Sequence, residues 1–141
     1  MTLREQVEEV VDAVLSAAVA DGSLPLEEVP AAALERPRDA ANGDWASTVA
    51  LRAAKAAHMK PRDVAEVVVS HLPKNDLIAS TEIAGPGFVN IRLTNAALAS
   101  VIDEARREGM DFGRGEAPAN AGRINLEYVS ANPTGPMHVG H

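Results

Sequence analysis

Two histidines near the end of the chain are the side chains best suited to chemistry. His138 and His141 lie three residues apart around Gly140, after a polar loop that contains two prolines. An alternating run at residues 123–129 precedes this loop and predicts a strand. A helix that starts after such a loop exposes backbone N–H groups and the positive end of its dipole, which bind phosphate oxygens. Because residues at i and i+3 share one helical face, both imidazoles are expected to donate to charge that grows on a reacting phosphate.

Two other interpretations of the histidine pair stay open on this pattern. The side chains could be solvated at the end of the chain, or they could bind a metal ion. A metal site needs further ligands, but no carboxylate or thiol stands at ligand spacing, and the chain has no cysteine. We therefore predict no metal site. Gly140 lacks a side chain and would leave room for a nucleotide to approach the backbone closely.

The residues around the histidines resemble a known family. Residues 127–141 read EYVSANPTGPMHVGH, and the last four match the HxGH signature of class I aminoacyl-tRNA synthetases. The whole string resembles the arginyl-tRNA synthetases in particular. Two upstream strings resemble the N-terminal additional domain of the same family: RPRD followed by NGDWA within residues 36–46, and EIAGPGFVN at residues 82–90.

This resemblance implies an arginine–tRNA ligase. Such an enzyme forms arginyl-adenylate from arginine and ATP with Mg²⁺, and then transfers arginine to the 3′ end of tRNA(Arg). His138 and His141 would be catalytic and, together with Gly140, would bind ATP. A carboxylate at Glu127 would pair with the substrate guanidinium through two hydrogen bonds. The implied arginine-binding residues are Glu127, Ser130 and Asn132.

The resemblance also implies that the chain is an N-terminal fragment of a longer enzyme. We expect the fragment to be inactive alone and to hold no cofactor, and we expect the full-length enzyme to be a monomer. Two alternatives without catalysis stay open. One is a stand-alone RNA-binding module, and the other is a partner-binding domain that uses the acidic first helix.

A predicted hairpin offers a second candidate site. On its second strand, Val89, Ile91 and Leu93 form the apolar face, so we expect the opposite face, Phe88, Asn90 and Arg92, to be an exposed strip. An aromatic ring, an amide and a guanidinium in a row suit stacking, base-edge hydrogen bonds and a phosphate contact. On the pattern alone, the simpler interpretation is that Phe88 packs into the turn and that Asn90 and Arg92 are ordinary surface residues. The resemblance implies that the strip contacts a nucleotide in the D-loop of tRNA.

The net charge of −7 is unevenly distributed along the 141 residues. Residues 1–35 carry eight acidic side chains and one basic one, whereas residues 36–62 carry six basic and two acidic side chains. The basic segment suits RNA contact, and surface salt bridges explain it equally well. There is no apolar stretch of membrane-spanning length and no signal-peptide pattern, so we expect a cytoplasmic protein without a membrane partner.

The periodicity of the apolar residues predicts an α+β fold: a two-layer domain of an antiparallel sheet packed on helices, over residues 1–110. A linker at residues 111–122 and the truncated start of a Rossmann-type catalytic domain at residues 123–141 would follow. Helices are predicted after a capping box at Thr2, after residues 42–44, from Pro61 and from Thr94 or Asn95. The last of these helices is expected to bury Leu98, Val101, Ile102 and Ala105. An edge strand is predicted at residues 33–35, and a hairpin at residues 77–93 is predicted to turn at residues 85–87.

Overall fold

A computed structural model describes residues 1–115, 122–129 and 134–136. The chain divides into two compact units, Met1–Met110 and Asp111–His141. Within the described residues, the first unit contains helices and one four-stranded antiparallel sheet of order β1-β2-β4-β3, which confirms the α+β fold. Its elements are α1 (Leu3–Ala20), β1 (Leu34–Glu35), β2 (Trp45–Ser47), α2 (Val49–Ala53), α3 (Pro61–His71), β3 (Ile78–Ala84), β4 (Phe88–Leu93) and α4 (Asn95–Glu108). Short 3-10 turns lie at Ala40–Asn42 and Gly109–Asp111.

Local signals set the beginnings of α1, α3 and α4, as the sequence predicts. Thr2 and Glu5 form a reciprocal capping box at α1, in which the Glu5 carboxylate accepts the Thr2 N–H at 2.7 Å. Pro61 occupies the first turn of α3, where the missing N–H costs nothing. The Thr94 hydroxyl accepts the Ala97 N–H at 3.0 Å and caps α4. Each cap satisfies a backbone donor that the helix itself leaves unpaired.

The core lies between one face of the sheet and helices α1, α2 and α3. On β4, Val89 and Ile91 are fully buried and Leu93 is nearly so, as the alternation predicts. Ile91 stands opposite Trp45 on β2 and Thr81 on β3. The remaining buried apolar residues come mainly from the helices: Val7, Val11, Val14, Leu15, Ala18, Val49, Ala50, Ala53, Val64, Ala65 and Val68.

Strand β2 was not predicted, because the sequence pattern placed a helix directly after residues 42–44. Trp45, Ala46 and Ser47 are all buried, so this segment lacks the polar–apolar alternation by which a strand is recognised. The strand forms because it pairs with β1 on one side and β4 on the other. The helix predicted there is short, since α2 spans only Val49–Ala53.

The sequence alternation of Leu77, Ala79, Thr81 and Ile83 predicts that these four residues share one face of the first hairpin strand, but the register of β3 differs. An irregularity between Ile78 and Ser80 places Ile78 opposite Leu93, and Ser80 opposite Arg92. The extra residue, Ala79, is exposed. A β-bulge of this kind changes which residues face the core on one side of it, so Ile78 joins the core edge in place of Ala79.

The prediction of a buried face on α4 was wrong for its largest residues. Leu98 is 43% exposed and Ile102 is 63% exposed, while Val101 and Ala105 are half-buried. Helix α4 lies against α1, and Ala97 is the α4 residue that reaches the edge of the core. Periodicity identifies an apolar face, but it does not show whether another element covers that face.

The second unit contains the segment for which a strand was predicted. Among the described residues 122–129 no strand is formed, and Ile124, Leu126 and Tyr128 are exposed. A strand needs hydrogen-bonded neighbours, and these residues have none within the part of the chain that is described. The assignment of residues 123–141 to the start of a Rossmann-type domain therefore stays a prediction. No helix among the described residues has the length and apolar character needed to span a membrane.

Candidate nucleic-acid interface

The sheet face opposite the core carries one row of side chains that crosses all four strands. The pairing register aligns Glu35 of β1 with Ala46 of β2, Ala46 with Asn90 of β4, and Asn90 with Glu82 of β3. Directly opposite residues in antiparallel strands point to the same face. Because Ala46 contributes only a methyl group, the row leaves space above β2, beside Asn90.

This space is a cleft of about 480 Å³ between the outer face of the sheet and the segment that follows β1. Its volume lies in the range of small-molecule sites, roughly 300–1,000 Å³. The lining combines side chains from β1, β2, β3, β4 and the connection between β1 and β2: Glu35, Arg36, Pro37, Arg38, Asn42, Ala46, Ala84, Phe88 and Asn90.

The structure brings two of the three predicted strip residues to this cleft. Phe88 is half-buried and Asn90 is 7% exposed, and both line the cleft, whereas Arg92 is exposed and lies outside its lining. The prediction of an exposed strip was therefore wrong for Asn90. The alternation placed Asn90 on the correct face, but the segment after β1 closes over that face and buries it.

The amide of Asn90 has unused hydrogen-bonding capacity. Within the described residues, no side-chain hydrogen bond involves Asn90, and no buried side-chain polar atom is both sealed from solvent and without a partner. The polar atoms of Asn90 must therefore be open to the cleft. Nearby, the Phe88 ring packs against Gly85 of the hairpin turn, whose added Cβ would lie 3.7 Å from the ring. An open amide thus lies two residues from an aromatic ring on the same strand face.

The wall of the cleft is fixed by contacts between residues 41–44 and strand β4. The Asp44 N–H donates to the Ile91 carbonyl at 2.9 Å, and the Asp44 carboxylate accepts the Leu93 N–H at 2.8 Å. The Arg92 guanidinium donates to the Ala41 carbonyl. Gly43 has φ of 100°, and an added Cβ would lie 2.7 Å from the Ile91 oxygen, so only glycine fits this approach.

Two arginines, Arg36 and Arg38, line the cleft and a third, Arg92, contacts its wall, and the three differ in their contacts. The Arg36 guanidinium lies over the Trp45 ring at 4.2 Å from its centroid and donates to the Asp44 carbonyl at 3.5 Å. The Arg92 guanidinium is occupied by its hydrogen bond to the Ala41 carbonyl. Arg38 is exposed and forms neither an ion pair nor a hydrogen bond with the part of the chain that the structure describes.

The residues predicted for the nucleotide and amino acid sites lie in the second unit. Glu127 is exposed and belongs to no helix or strand. The other five lie outside the described residues: Ser130, Asn132, His138, Gly140 and His141. Among the described residues, no three His, Cys, Asp or Glu side chains cluster as metal ligands would.

Sequence reasoning missed most of the cleft, although it singled out the strings that form it. Arg36, Arg38, Asn42 and Ala46 belong to the first upstream string, and Phe88 and Asn90 belong to the second. The two strings are separated by the 35 residues 47–81, and only the pairing of β2 with β4 brings them together. Their shared appearance in one resemblance was the signal that could have joined them.

Comparison with known proteins gives consistent results. Residues 3–93 match the sequence model of the family described as the arginyl tRNA synthetase N-terminal domain. An arginine–tRNA ligase of Thioalkalivibrio sulfidiphilus is 45% identical over 139 residues, which is 99% of this chain and 24% of that protein. An arginine–tRNA ligase of Halorhodospira halophila is 50% identical over 121 residues, which is 85% of this chain and 20% of that protein. The chain thus spans a quarter or less of the length of these two relatives.

A solved structure shares the fold. The arginyl-tRNA synthetase of Thermus thermophilus superposes with a TM-score of 0.56 and 19% sequence identity, over 74% of this chain and 16% of that one. At this level of identity the match supports the α+β architecture alone.

Proposed function

Because the chain belongs to the arginyl-tRNA synthetase family, we propose that its first unit binds tRNA(Arg) and that the cleft beside Asn90 holds one nucleotide of the D-loop. Phe88 stacks on the base, and the Asn90 amide reads its edge. The two residues lie on one strand face and line one cleft, which supports the assignment.

The single observation that carries the proposal is the state of the Asn90 amide. It is 7% exposed, makes no hydrogen bond with the described residues and opens into a cleft. A nearly buried amide without a protein partner is satisfied by water that enters the cleft, or by a ligand that replaces this water with its own hydrogen bonds. An amide both donates and accepts, so it matches the mixed edges of nucleobases and discriminates between them. The aromatic ring beside it supplies stacking, which tolerates any base.

For the whole protein we propose the activity of an arginine–tRNA ligase. The chain covers only part of its relatives, so the ATP, Mg²⁺, arginine and tRNA(Arg) dependence of the longer enzyme belongs to this proposal. His138 and His141 donate to the phosphate during adenylate formation, with Gly140 at the nucleotide. Glu127, Ser130 and Asn132 bind arginine. Positioning and charge stabilisation of this kind suit an in-line reaction at phosphorus.

The test of the tRNA site is binding of labelled tRNA(Arg) transcripts that differ at single D-loop positions, measured by fluorescence anisotropy. Phe88→Ala should weaken binding of every transcript by roughly tenfold or more, because stacking contributes about 1–3 kcal/mol per base. Asn90→Ala should instead reduce the difference in affinity between transcripts that carry different bases at one D-loop position.

Matched controls are Phe112→Ala and Asn95→Ala, which remove the same side chains outside the cleft. Neither control should change affinity or base preference. If Phe88→Ala and Asn90→Ala behave like their controls on every transcript, the cleft is not a tRNA site.

A further inference from the structure

Of the three arginines at the cleft and its wall, two make contacts within the chain and one does not. Arg36 is held over the Trp45 ring, and Arg92 donates to the Ala41 carbonyl. Arg38 lines the cleft with its charge unpaired by any described residue. A guanidinium that is exposed, without a partner and beside a nucleotide-sized cleft has its donors available for a ligand.

We infer that Arg38 is the phosphate-binding residue of the cleft, and that Arg92 is a positioning residue that holds the wall carrying Arg38 against β4. The inference rests on the proposed function, since the phosphate belongs to the nucleotide bound beside Asn90. Arg38 lies in the connection after β1, so the alternation along β4 does not identify it as a contact to the RNA backbone.

Hydrogen bonds hold the wall in place next to Arg38. Asp39, the next residue, accepts the Ala41 N–H on its carboxylate at 2.8 Å and so caps the short turn Ala40–Asn42. Arg92 then ties Ala41 to β4, and Asp44 ties the end of the segment to the same strand. The backbone next to Arg38 is therefore fixed relative to Asn90, which lies on that strand.

The charges of the cleft agree with this assignment. Glu35 is the carboxylate among the lining residues, and it forms no ion pair with Arg38 within the described part of the chain. Glu35 lies instead in the row that contains Ala46 and Asn90, on the floor of the cleft. The floor thus presents polar groups to a base, and the rim presents a planar guanidinium, which binds phosphate oxygens through paired hydrogen bonds.

The experiment measures the affinity of the chain for tRNA(Arg) transcripts at several KCl concentrations. Arg38→Gln should weaken the binding of every D-loop transcript by the same factor, roughly tenfold at low salt. Log affinity falls with log salt, and the substitution should make this negative slope shallower by about 0.7, the value for one phosphate contact on a single strand. Arg38→Lys should retain the slope, and the control Arg106→Gln, at an exposed position in the last turn of α4 and outside the cleft lining, should change neither quantity.

A double-mutant cycle separates Arg92 from Arg38. If Arg92 acts by positioning, Arg92→Gln weakens binding, Arg92→Lys restores it by donating to Ala41, and Arg38→Gln has a smaller effect in the Arg92→Gln background. If Arg92 binds phosphate itself, the two losses and the two slope changes add, and the inference is overturned.

Failure of this inference is distinct from failure of the proposed function. If Phe88→Ala and Asn90→Ala act as expected but Arg38→Gln leaves the salt slope unchanged, the Arg38 assignment alone is wrong. If the unsubstituted chain binds no transcript, or if Phe88→Ala and Asn90→Ala have no effect, both proposals are wrong.

Discussion

The His71 side chain joins the end of α3 to the end of α1 through Asp21, with 2.7 Å between its Nε2 and the Asp21 carboxylate. The other ring nitrogen, Nδ1, lies 2.8 Å from the Val67 carbonyl. Two acceptors flank the ring, so both nitrogens act as donors when the imidazole is protonated. The hydrogen bond to Asp21 and then that to Val67 raise the pKa of His71, and the hydrogen bonds from His71 and Ser23 lower the pKa of Asp21 to about 2.

These shifts predict how the stability of the first unit depends on pH. The raised pKa of His71 contributes stability that is complete below its ordinary value of 6.5 and is lost as pH rises through the folded-state pKa. The lowered pKa of Asp21 contributes stability that is complete above 3.8 and is lost as pH falls through about 2. The pair therefore stabilises most between pH 3.8 and pH 6.5.

His71→Gln should accordingly lower the Tm more near pH 5 than near pH 9, since the stability that the raised pKa of His71 contributes is lost as pH rises. Thermal unfolding followed by circular dichroism across this range provides the measurement. His58→Asn is the control, because His58 has φ of 52°, which asparagine tolerates, and forms no ion pair within the described residues. An equal loss of Tm at both pH values in His71→Gln would contradict the assignment.

Gly43 offers a sharper test of the wall of the cleft. Gly43→Ala places a Cβ 2.7 Å from the Ile91 carbonyl oxygen at a φ of 100°, so it combines a clash with backbone strain. Gly22→Ala is the matched control, because Gly22 has φ of 82° with nothing within 4 Å. The control isolates the strain, which costs about 1–3 kcal/mol. In urea denaturation, Gly43→Ala should lose more unfolding free energy than Gly22→Ala, and equal losses would show that the segment moves aside without cost.

How much of this molecule the sequence predicts depends on the range of the interaction. Caps at Thr2 and Thr94 and the turn at residues 85–87 rest on neighbours in sequence, and the structure confirms them. The cleft depends instead on the close approach of Gly43 to Ile91 and on the hydrogen bond from Arg92 to Ala41, and each contact joins segments far apart along the chain. Alternation assigned Asn90 to the correct face, but the closing of residues 36–44 over that face leaves no periodic signal. The same limit applies to Leu98 and Ile102, whose exposure depends on which elements lie beside α4.

The proposed catalysis by a longer enzyme gives a separate prediction. The chain of 141 residues should show no arginine-dependent ATP–pyrophosphate exchange, because one predicted strand and a single helix start cannot form a parallel nucleotide-binding sheet. In the longer enzyme, His138→Ala or His141→Ala should lower kcat by roughly 10²–10³ while the KM for arginine changes little. Exchange activity in the isolated chain would contradict the first expectation, and a change confined to KM would contradict the second.

Ala46 tests whether the space above the sheet is the binding site. Its methyl group lies between Glu35 and Asn90 in the row across the outer face, where a larger side chain would project into the cleft. Ala46→Leu should fill the volume that a base would occupy and should weaken tRNA(Arg) binding by at least tenfold, as the loss of a stacked base does. The free energy of unfolding should fall by less than the free energy of tRNA(Arg) binding does, because the added atoms enter an open cleft and not the packed core. Ala99→Leu, at an exposed position on α4, is the control. Retention of full affinity by Ala46→Leu, with the fold intact, would show that tRNA binds elsewhere on the molecule.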